Sequence, residues 1–184
     1  MDPECPFAIT RVDQWALRLA MIAATVVAAS ILGRAGGQQP TAAAKVDRIL
    51  VVKSTRTMTL FSGDKVLKTY QIALGGEPVG AKEKEGDHKT PEGMYTIDSR
   101  NAKSRFHLAL HTSYPSDADR AKARKLGVSP GGAIMIHGLP WEFAWLGSLH
   151  RRLDWTDGCI AVTNAEIEEI WHLVPVGTPI EIRP

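Results

Sequence analysis

From Val46 onward, apolar residues recur at every second position in short runs broken by turn-forming residues, the period of β-strands. Residues 49–52 form an apolar run, and MTLF at 58–61 alternates with polar neighbours. Ser62-Gly63-Asp64 supplies a turn before KVLKTYQIAL, whose alternation runs through Val66, Lys68, Tyr70, Ile72 and Leu74. These runs predict an antiparallel meander. GGEPVGAKEKEG at 75–86 reads as a loop, its KEKE run a solvated surface. A turn and a strand over 94–97 follow, then a second alternation in RFHLALH at 105–111, where His107 and His111 share a face with Ala109. GAIMIHG at 132–138 has glycine at either end and predicts a buried strand.

Helical spacing appears in three places. ADRAKARKLG after Asp117 predicts a short polar helix with Gly127 as its C-cap. Residues 140–149, with two tryptophans, predict a short helix or ordered loop. Thr163 with Glu166 has capping-box spacing, and Ile167, Ile170, Trp171 and Val174 then fall on one helical face. Pro175-Val176-Gly177 ends that helix and TPIEI makes a last strand. The expected class is mainly β with a few short helices.

The first 44 residues follow a different pattern. LAMIAATVVAASIL at 19–32 carries no charge, is preceded by Arg11 and Arg18, and is followed by the linker composition GRAGGQQPTAAA. Fourteen residues are short for a membrane span but match the apolar region of a signal peptide. Small-residue cleavage sites lie near residues 28–30 and 42–44. The expectation is a signal peptide or signal anchor plus linker over 1–44 and one catalytic domain over 45–184. Export to the periplasm or cell-wall space follows, with residues 15–32 as the membrane anchor if uncleaved. The amino-terminal segment would then engage the export machinery or the membrane. A buried core helix is the alternative.

Charge adds little: the formal net charge is +2, and residues 1–44 balance three basic against three acidic groups. So mild and dispersed an excess gives no footprint for nucleic acid. The two cysteines add more. Export would separate Cys5 from Cys159, leaving Cys159 without an internal disulfide partner, which points to a reactive thiol or an intermolecular bond.

Cys159 lies in IMIHGLP…DWTDGCIAVTN. It follows a glycine at a turn shortly before a helix, where backbone N–H groups can face a developing oxyanion. A thiol needs a base or cation to ionise, and His137 at the end of an apolar strand is a candidate base. From spacing alone, a buried cysteine beside an unrelated histidine stays open.

IMIHG followed by TDGCIAVTN resembles the signature of the YkuD-type L,D-transpeptidase catalytic domain, a His-Gly and then a Ser/Thr-x-Gly-Cys turn. GDHKTPEGMYTI is similar to that family's Thr-Pro-x-Gly segment, and VVKSTRTMTLF to its opening strands. The resemblance covers nearly all of residues 46–184. It implies a β-sandwich or barrel acting on peptidoglycan stem peptides, with no metal and no organic cofactor. Cys159 would attack the carbonyl of the L-centre residue before a terminal D-amino acid, forming a thioester that an amine acceptor resolves. His137 would be the base, the Gly138 backbone carbonyl would orient its ring, and the backbone N–H groups of Gly158 and Cys159 would meet the oxyanion.

Two positions depart from the family. Many members carry His two residues before the cysteine and Arg two after it; Asp157 and Ala161 stand here. Asp157, if close, raises the thiol pKa. The TDGCIA form resembles the branch that includes the YafK-type proteins, some of which cut peptidoglycan–lipoprotein bonds. Three activities therefore stay open: transpeptidation, hydrolysis as an amidase or carboxypeptidase (including release of a wall-linked lipoprotein), and an inactive peptidoglycan-binding module.

Further candidates for substrate binding are Asp157, Thr156, His88, Trp141, Arg151 and Arg152. His88 adjoins the Thr-Pro-Glu-Gly turn, and Arg151 and Arg152 beside His150 can meet a stem-peptide carboxylate. Trp141, Trp145 and Trp155 flank the site as packing residues or as a lid, with packing expected for at least one. A zinc site from His137, Cys159, Asp157 and His150 is a weak alternative, since its spacing matches no short metal motif.

Overall fold

The computed structural model describes residues 45–184. The expected leader, its cleavage and Cys5 lie outside the described residues. The strands are β1 (Arg48–Val52), β2 (Thr57–Ser62), β3 (Lys65–Gln71), β4 (Gly93–Ser104), β5 (His107–Thr112), β6 (Met135–His137), β7 (Ile160–Ala161) and β8 (Pro179–Arg183). Two α-helices accompany them, α1 (Asp117–Leu126) and α2 (Asn164–Leu173), with a 3-10 segment at Trp141–Arg152. The domain is mainly β with few helices.

The meander is present: β1 pairs antiparallel with β2 (Ile49 opposite Leu60), and β2 with β3. The last strand, β8, inserts parallel to β1 (Ile49 opposite Ile180) and antiparallel to β4 (Tyr95 opposite Ile180). β4 is long enough to serve two neighbours: residues 93–96 pair with β8 and residues 97–104 with β5. The order is β3-β2-β1-β8-β4-β5-β6-β7. Just beyond β3, Ala73 exchanges two 2.9 Å backbone hydrogen bonds with Ala161 of β7, so the two ends of the sheet meet. A sheet closed in this way leaves fewer unpaired edges.

Inward residues fill the interior. Ile49, Leu60, Ile72, Ile97, Ile136 and Ile160 are all fully buried, each stabilising the fold by about 1.5–3 kcal/mol relative to exposure. α2 begins at a capping box: Thr163 Oγ1 accepts from the Glu166 N–H, and a Glu166 carboxylate oxygen accepts from the Thr163 N–H at 2.9 Å. Its Ile167 and Ile170 are buried, and Val174 just beyond it is 1% exposed.

Several boundaries move for local reasons. β6 starts at Met135 rather than 132 because Gly131 (φ 72°) and Ala133 (φ 55°) turn the chain left-handed. β5 starts at His107, itself at φ 69°, and β4 runs on to Ser104. In β3, on the edge of the order, Val66 and Lys68 are exposed and Tyr70 is the buried member. His107 and His111 pair at the surface, with Glu168 and Asp98 respectively, each at 2.7 Å.

Candidate active site

His137 ends β6 and is 2% exposed. Its Nδ1–H donates to the Gly138 carbonyl at 2.7 Å. Burial pulls the imidazole below its ordinary pKa, and the Gly138 contact only partly offsets this. The ring is therefore neutral at pH 7, with the Nε2 lone pair free to take a proton. Phe106 (4.4 Å between centroids) and Trp155 (5.8 Å, edge-on) flank it. The strand end is fixed by α2: the Asn164 side-chain oxygen accepts from the Leu139 N–H at 2.6 Å. A Cβ on Gly138 would come within 2.6 Å of that oxygen and 2.9 Å of Ile167. Glycine there allows the helix to pack against the histidine strand.

Cys159 closes a tight turn before β7. The Thr156 hydroxyl donates to the Cys159 carbonyl at 2.7 Å and accepts from the Gly158 N–H at 3.1 Å. Gly158 sits at φ 123°, and a Cβ there would lie 2.4 Å from the Lys89 carbonyl oxygen. The turn is tied to the segment after β3, where the Trp155 and Thr156 N–H groups donate to the Leu74 carbonyl and the Gly76 N–H donates to Thr156. Parallel β6–β7 pairing sets Ile136 opposite Ile160 and His137 opposite Ala161. Cys159 therefore shares a face with His137, two positions back on the adjacent strand, about 8 Å away by Cα.

The thiol donates to the Ala133 carbonyl at 3.5 Å. Among the described residues no hydrogen bond joins Sγ to the His137 ring. Burial pushes the thiol above its usual range; the Met135 N–H lowers it, the Asp157 carboxylate raises it and the Lys82 ammonium lowers it. The resting pair is thus neutral thiol and neutral imidazole, not thiolate and imidazolium. Catalytic contacts are often long before substrate binds and tighten afterwards.

Asp157, two residues before the cysteine, and His88 line a cavity of about 320 Å³ together with Lys82, Glu85, Gly131 and Gly132. His88 Nδ1 lies 2.8 Å from a carboxylate oxygen of Asp157, and both side chains are largely exposed. His88 has φ 53°, a conformation costing about 1–2 kcal/mol for a residue with a Cβ. An exposed ion pair returns about 0–1 kcal/mol, so the pair does not explain the strain by stability alone. Neighbouring groups hold the backbone there. The Asp87 carboxylate accepts from Lys82 Nζ and from the Glu83, Lys84 and Lys89 N–H groups. Burial opposes ionisation of Asp87, yet these four donors outweigh it and set its pKa at about 2. The Lys53 ammonium, 3% exposed, binds the Gly80 and Thr90 carbonyls and Glu92. Thr90 Oγ1 accepts from the Gly75 N–H at 3.1 Å, which gives the Thr-Pro-Glu-Gly segment its structural part.

The other expected residues divide. Thr156 is 6% exposed and both hydroxyl functions serve the turn, so it is a turn-holding residue rather than a substrate ligand. The same contact occupies the Gly158 N–H, which removes it as a free oxyanion donor; the Cys159 N–H has no acceptor among the described residues. Arg151 pairs with Glu166 and pins the 3-10 segment to the start of α2, so it is not free for a carboxylate. Arg152 is exposed. Trp141 lines a separate cavity with Ser104, Arg105, His107 and Glu142, away from the cysteine. Trp141 and Trp145 are about four-fifths exposed; of the three tryptophans it is Trp155 that packs, against His137. His150 is buried, and its Nδ1 accepts from the Trp155 indole N–H at 3.4 Å. Burial and the Arg151 charge lower its pKa to about 4. Among the described residues, no three His, Cys, Asp or Glu side chains are placed to hold a metal ion.

Sequence reading missed Lys82, Asp87, Ala133, Asn164 and Phe106. Asn164 was legible in principle, as the polar first residue of a helix following the cysteine turn. Phe106 meets His137 and Ala133 meets Cys159 only through the fold, which no local spacing encodes, whereas Lys82 and Asp87 pair within a loop that reads from the sequence as plain solvated surface.

Residues 46–182 match the YkuD family, described as the L,D-transpeptidase catalytic domain. A protein of Escherichia coli K12, provisionally named L,D-transpeptidase YafK, is 30% identical over 132 residues, covering 68% of this chain and 46% of its own. The solved structure of the helical cell shape determining protein Pgp2 of Campylobacter jejuni is 27% identical, with a TM-score of 0.58 over 74% of this chain and 47% of that one. Bd1075 of Bdellovibrio bacteriovorus is 26% identical, with a TM-score of 0.54 over 78% and 49%. The chain spans about half the length of each of these relatives.

Proposed function

The chain belongs to the L,D-transpeptidase catalytic-domain family, and on that premise we propose that it transfers peptidoglycan stem-peptide acyl groups through a Cys159 thioester. Cys159 Sγ gives its proton to His137 Nε2 and attacks the carbonyl carbon of the L-centre residue. The Cys159 N–H meets the oxyanion. On collapse the C–N bond to the terminal D-residue breaks, and His137 returns the proton to the departing amine. An acceptor amine then attacks the thioester, giving the new amide and the free thiol.

The observation that carries this reading is the fixed tautomer of His137. Its Nδ1–H is committed to the Gly138 carbonyl, which leaves Nε2 as a base on the strand beside Cys159. A backbone carbonyl thereby does the orienting that a carboxylate does in serine-protease triads. Hydrolysis through the same thioester is the second reading, favoured by the open, charged cavity that Asp157 lines two residues before the cysteine, which admits water as readily as an amine.

We place the reaction outside the cytoplasmic membrane, after export directed by the apolar segment near the amino terminus. A reporter fused after Ala44 tests this, and cytoplasmic retention of the reporter refutes it. The chemistry is tested by mass spectrometry of tetrapeptide muropeptides incubated with a D-amino acid and the protein or Cys159→Ala. Exchanged or joined peptides, absent with the variant, support transpeptidation. Shortened or released peptides alone mean hydrolysis, and unchanged turnover by the variant rejects the thioester.

A further inference from the structure

We propose that His88, oriented by Asp157, is the general base that deprotonates the acceptor when the Cys159 thioester is resolved. The proposal rests on the acyl-enzyme reading above and adds a second catalytic base to it.

The chemistry calls for one. An alkylamine acceptor reaches the site at neutral pH as an ammonium ion and must shed two protons to become an amide nitrogen. His137 is 2% exposed, walled by Phe106 and Trp155, and has one lone pair to offer. His88 lines an open cavity together with Asp157, two residues before the cysteine, and its ring is half-exposed. The 2.8 Å contact of its Nδ1 with the Asp157 carboxylate puts the proton on Nδ1 and leaves the lone pair on Nε2. That is the carboxylate–imidazole arrangement of a general base, in which the carboxylate fixes the tautomer and supports the charge that develops.

Its place beside the cysteine is built into the backbone. The His88 carbonyl packs so closely on Gly75 that a Cβ there would lie 2.2 Å from it, and the Lys89 carbonyl packs equally closely on Gly158. His88 is thereby held in its left-handed conformation against the turn that carries the nucleophile. The charges in the cavity suit a cation. Lys82 is already bound to Asp87 and to the Lys84 carbonyl, whereas Glu85 and Asp157 present carboxylates.

The step balances. R–NH3+ gives one proton to His88 Nε2, and the freed nitrogen pair attacks the thioester carbonyl carbon. The C–S bond breaks and its electron pair leaves on Cys159. The surplus proton on nitrogen passes through His137 to that sulfur, giving amide and thiol, and exposed His88 releases its proton to water.

The test follows the thioester by rapid-quench mass spectrometry of the intact protein, with a tetrapeptide donor and glycine or hydroxylamine as acceptor. Wild type is compared with His88→Gln, His88→Ala and Asp157→Asn, each checked for an unchanged melting temperature. Both His88 variants are expected to acylate within about threefold of wild type, yet to lose about 100-fold or more in resolution by the glycine amine. The thioester then accumulates. Hydroxylamine, largely unprotonated at neutral pH, should resolve the variants nearly as fast as wild type. Asp157→Asn should slow resolution while leaving acylation equal or faster, because its charge opposes the thiolate. Wild-type resolution in the His88 variants, equal slowing of both half-reactions, or equal slowing with hydroxylamine would each overturn the role of His88. If wild type forms no thioester at all, the acyl-enzyme reading falls, and this proposal falls with it.

Discussion

Thr156→Val isolates the turn that carries Cys159. The substitution keeps the shape of the side chain and removes only its hydroxyl. Two hydrogen bonds go with it, at 2.7 Å to the Cys159 carbonyl and at 3.1 Å from the Gly158 N–H. Gly158 is buried, and the Lys89 carbonyl and Ile134 crowd the position where its Cβ would stand, so water has little room to replace the lost partner. Leaving a buried polar group unpaired costs about 1–3 kcal/mol; with one buried and one part-buried group, the sum is about 2–4 kcal/mol. For a domain of about 140 residues, the unfolding entropy is about 0.3 kcal/mol per degree. The melting temperature should then fall by about 7–13 °C. Thr156→Ser keeps the hydroxyl and loses one methyl, costing about 0.8 kcal/mol or roughly 3 °C.

Calorimetry of both variants is the assay, with thioester formation measured alongside. The valine variant should also acylate more slowly, since the Cys159 backbone is no longer tied down. If valine and serine variants melt within 2 °C of one another, the hydroxyl does not hold the turn and the reasoning fails. Faster acylation in the valine variant would mean that Gly158 is an oxyanion donor after all, with Thr156 its competitor.

Three other outcomes are expected. Gly158→Ala combines a φ of 123° with a 2.4 Å clash on the Lys89 carbonyl, so it should lower stability by about 2–5 kcal/mol and abolish thioester formation; a stable, active variant refutes the close approach. Asp87 titrates at about 2 rather than 3.8, so it stabilises the fold above pH 4 and the contribution is lost as pH falls from about 4 towards 2. Asp87→Asn should cost about 2 kcal/mol at pH 7 and flatten the acid limb of the stability curve; an unchanged limb in urea titrations sinks this. The thiol stands above its ordinary value, so iodoacetamide alkylation of Cys159 should keep rising with pH beyond 9 and should shift to lower pH in Asp157→Asn. A plateau reached below pH 8 would show a resting thiolate instead.

What was legible in the sequence follows the range of the interactions. The capping box at Thr163 and Glu166 and the Gly127 cap are set within a few residues, and both appear where their spacing puts them. Strand periodicity likewise located β1, β2, β3, β5 and β8, but only residues 94–97 of the longer β4. The start of β6 did not follow from composition, because nothing in GAIMIHG marks Ala133 as left-handed. Thr156 and Arg151 have the chemistry of ligands, and only the fold reveals that a carbonyl three residues along the turn and a helix-capping glutamate have already claimed them. Trp141 and Trp145 mislead in the opposite sense, since helical spacing predicts a packed face and the 3-10 segment, broken at Gly147, turns them to solvent.

The same contacts bear on why the resting site is neutral. Each backbone element that meets at Cys159 is locked separately: β6 by Asn164, the cysteine turn by Thr156, and the loop bearing His88 by Lys53 and Asp87. The rigid part of the geometry is therefore complete before substrate arrives. What remains free is rotation of one short side chain, which takes Sγ from the Ala133 carbonyl towards His137 Nε2. A thiol parked on a carbonyl in a desolvated position stays protonated and poorly reactive towards adventitious electrophiles. On the proposed mechanism, binding of an acyl donor alters that balance by placing a carbonyl carbon within reach, so that proton transfer to His137 and attack occur together. Burial and Asp157 then lower the standing concentration of thiolate without slowing the productive step by the same factor.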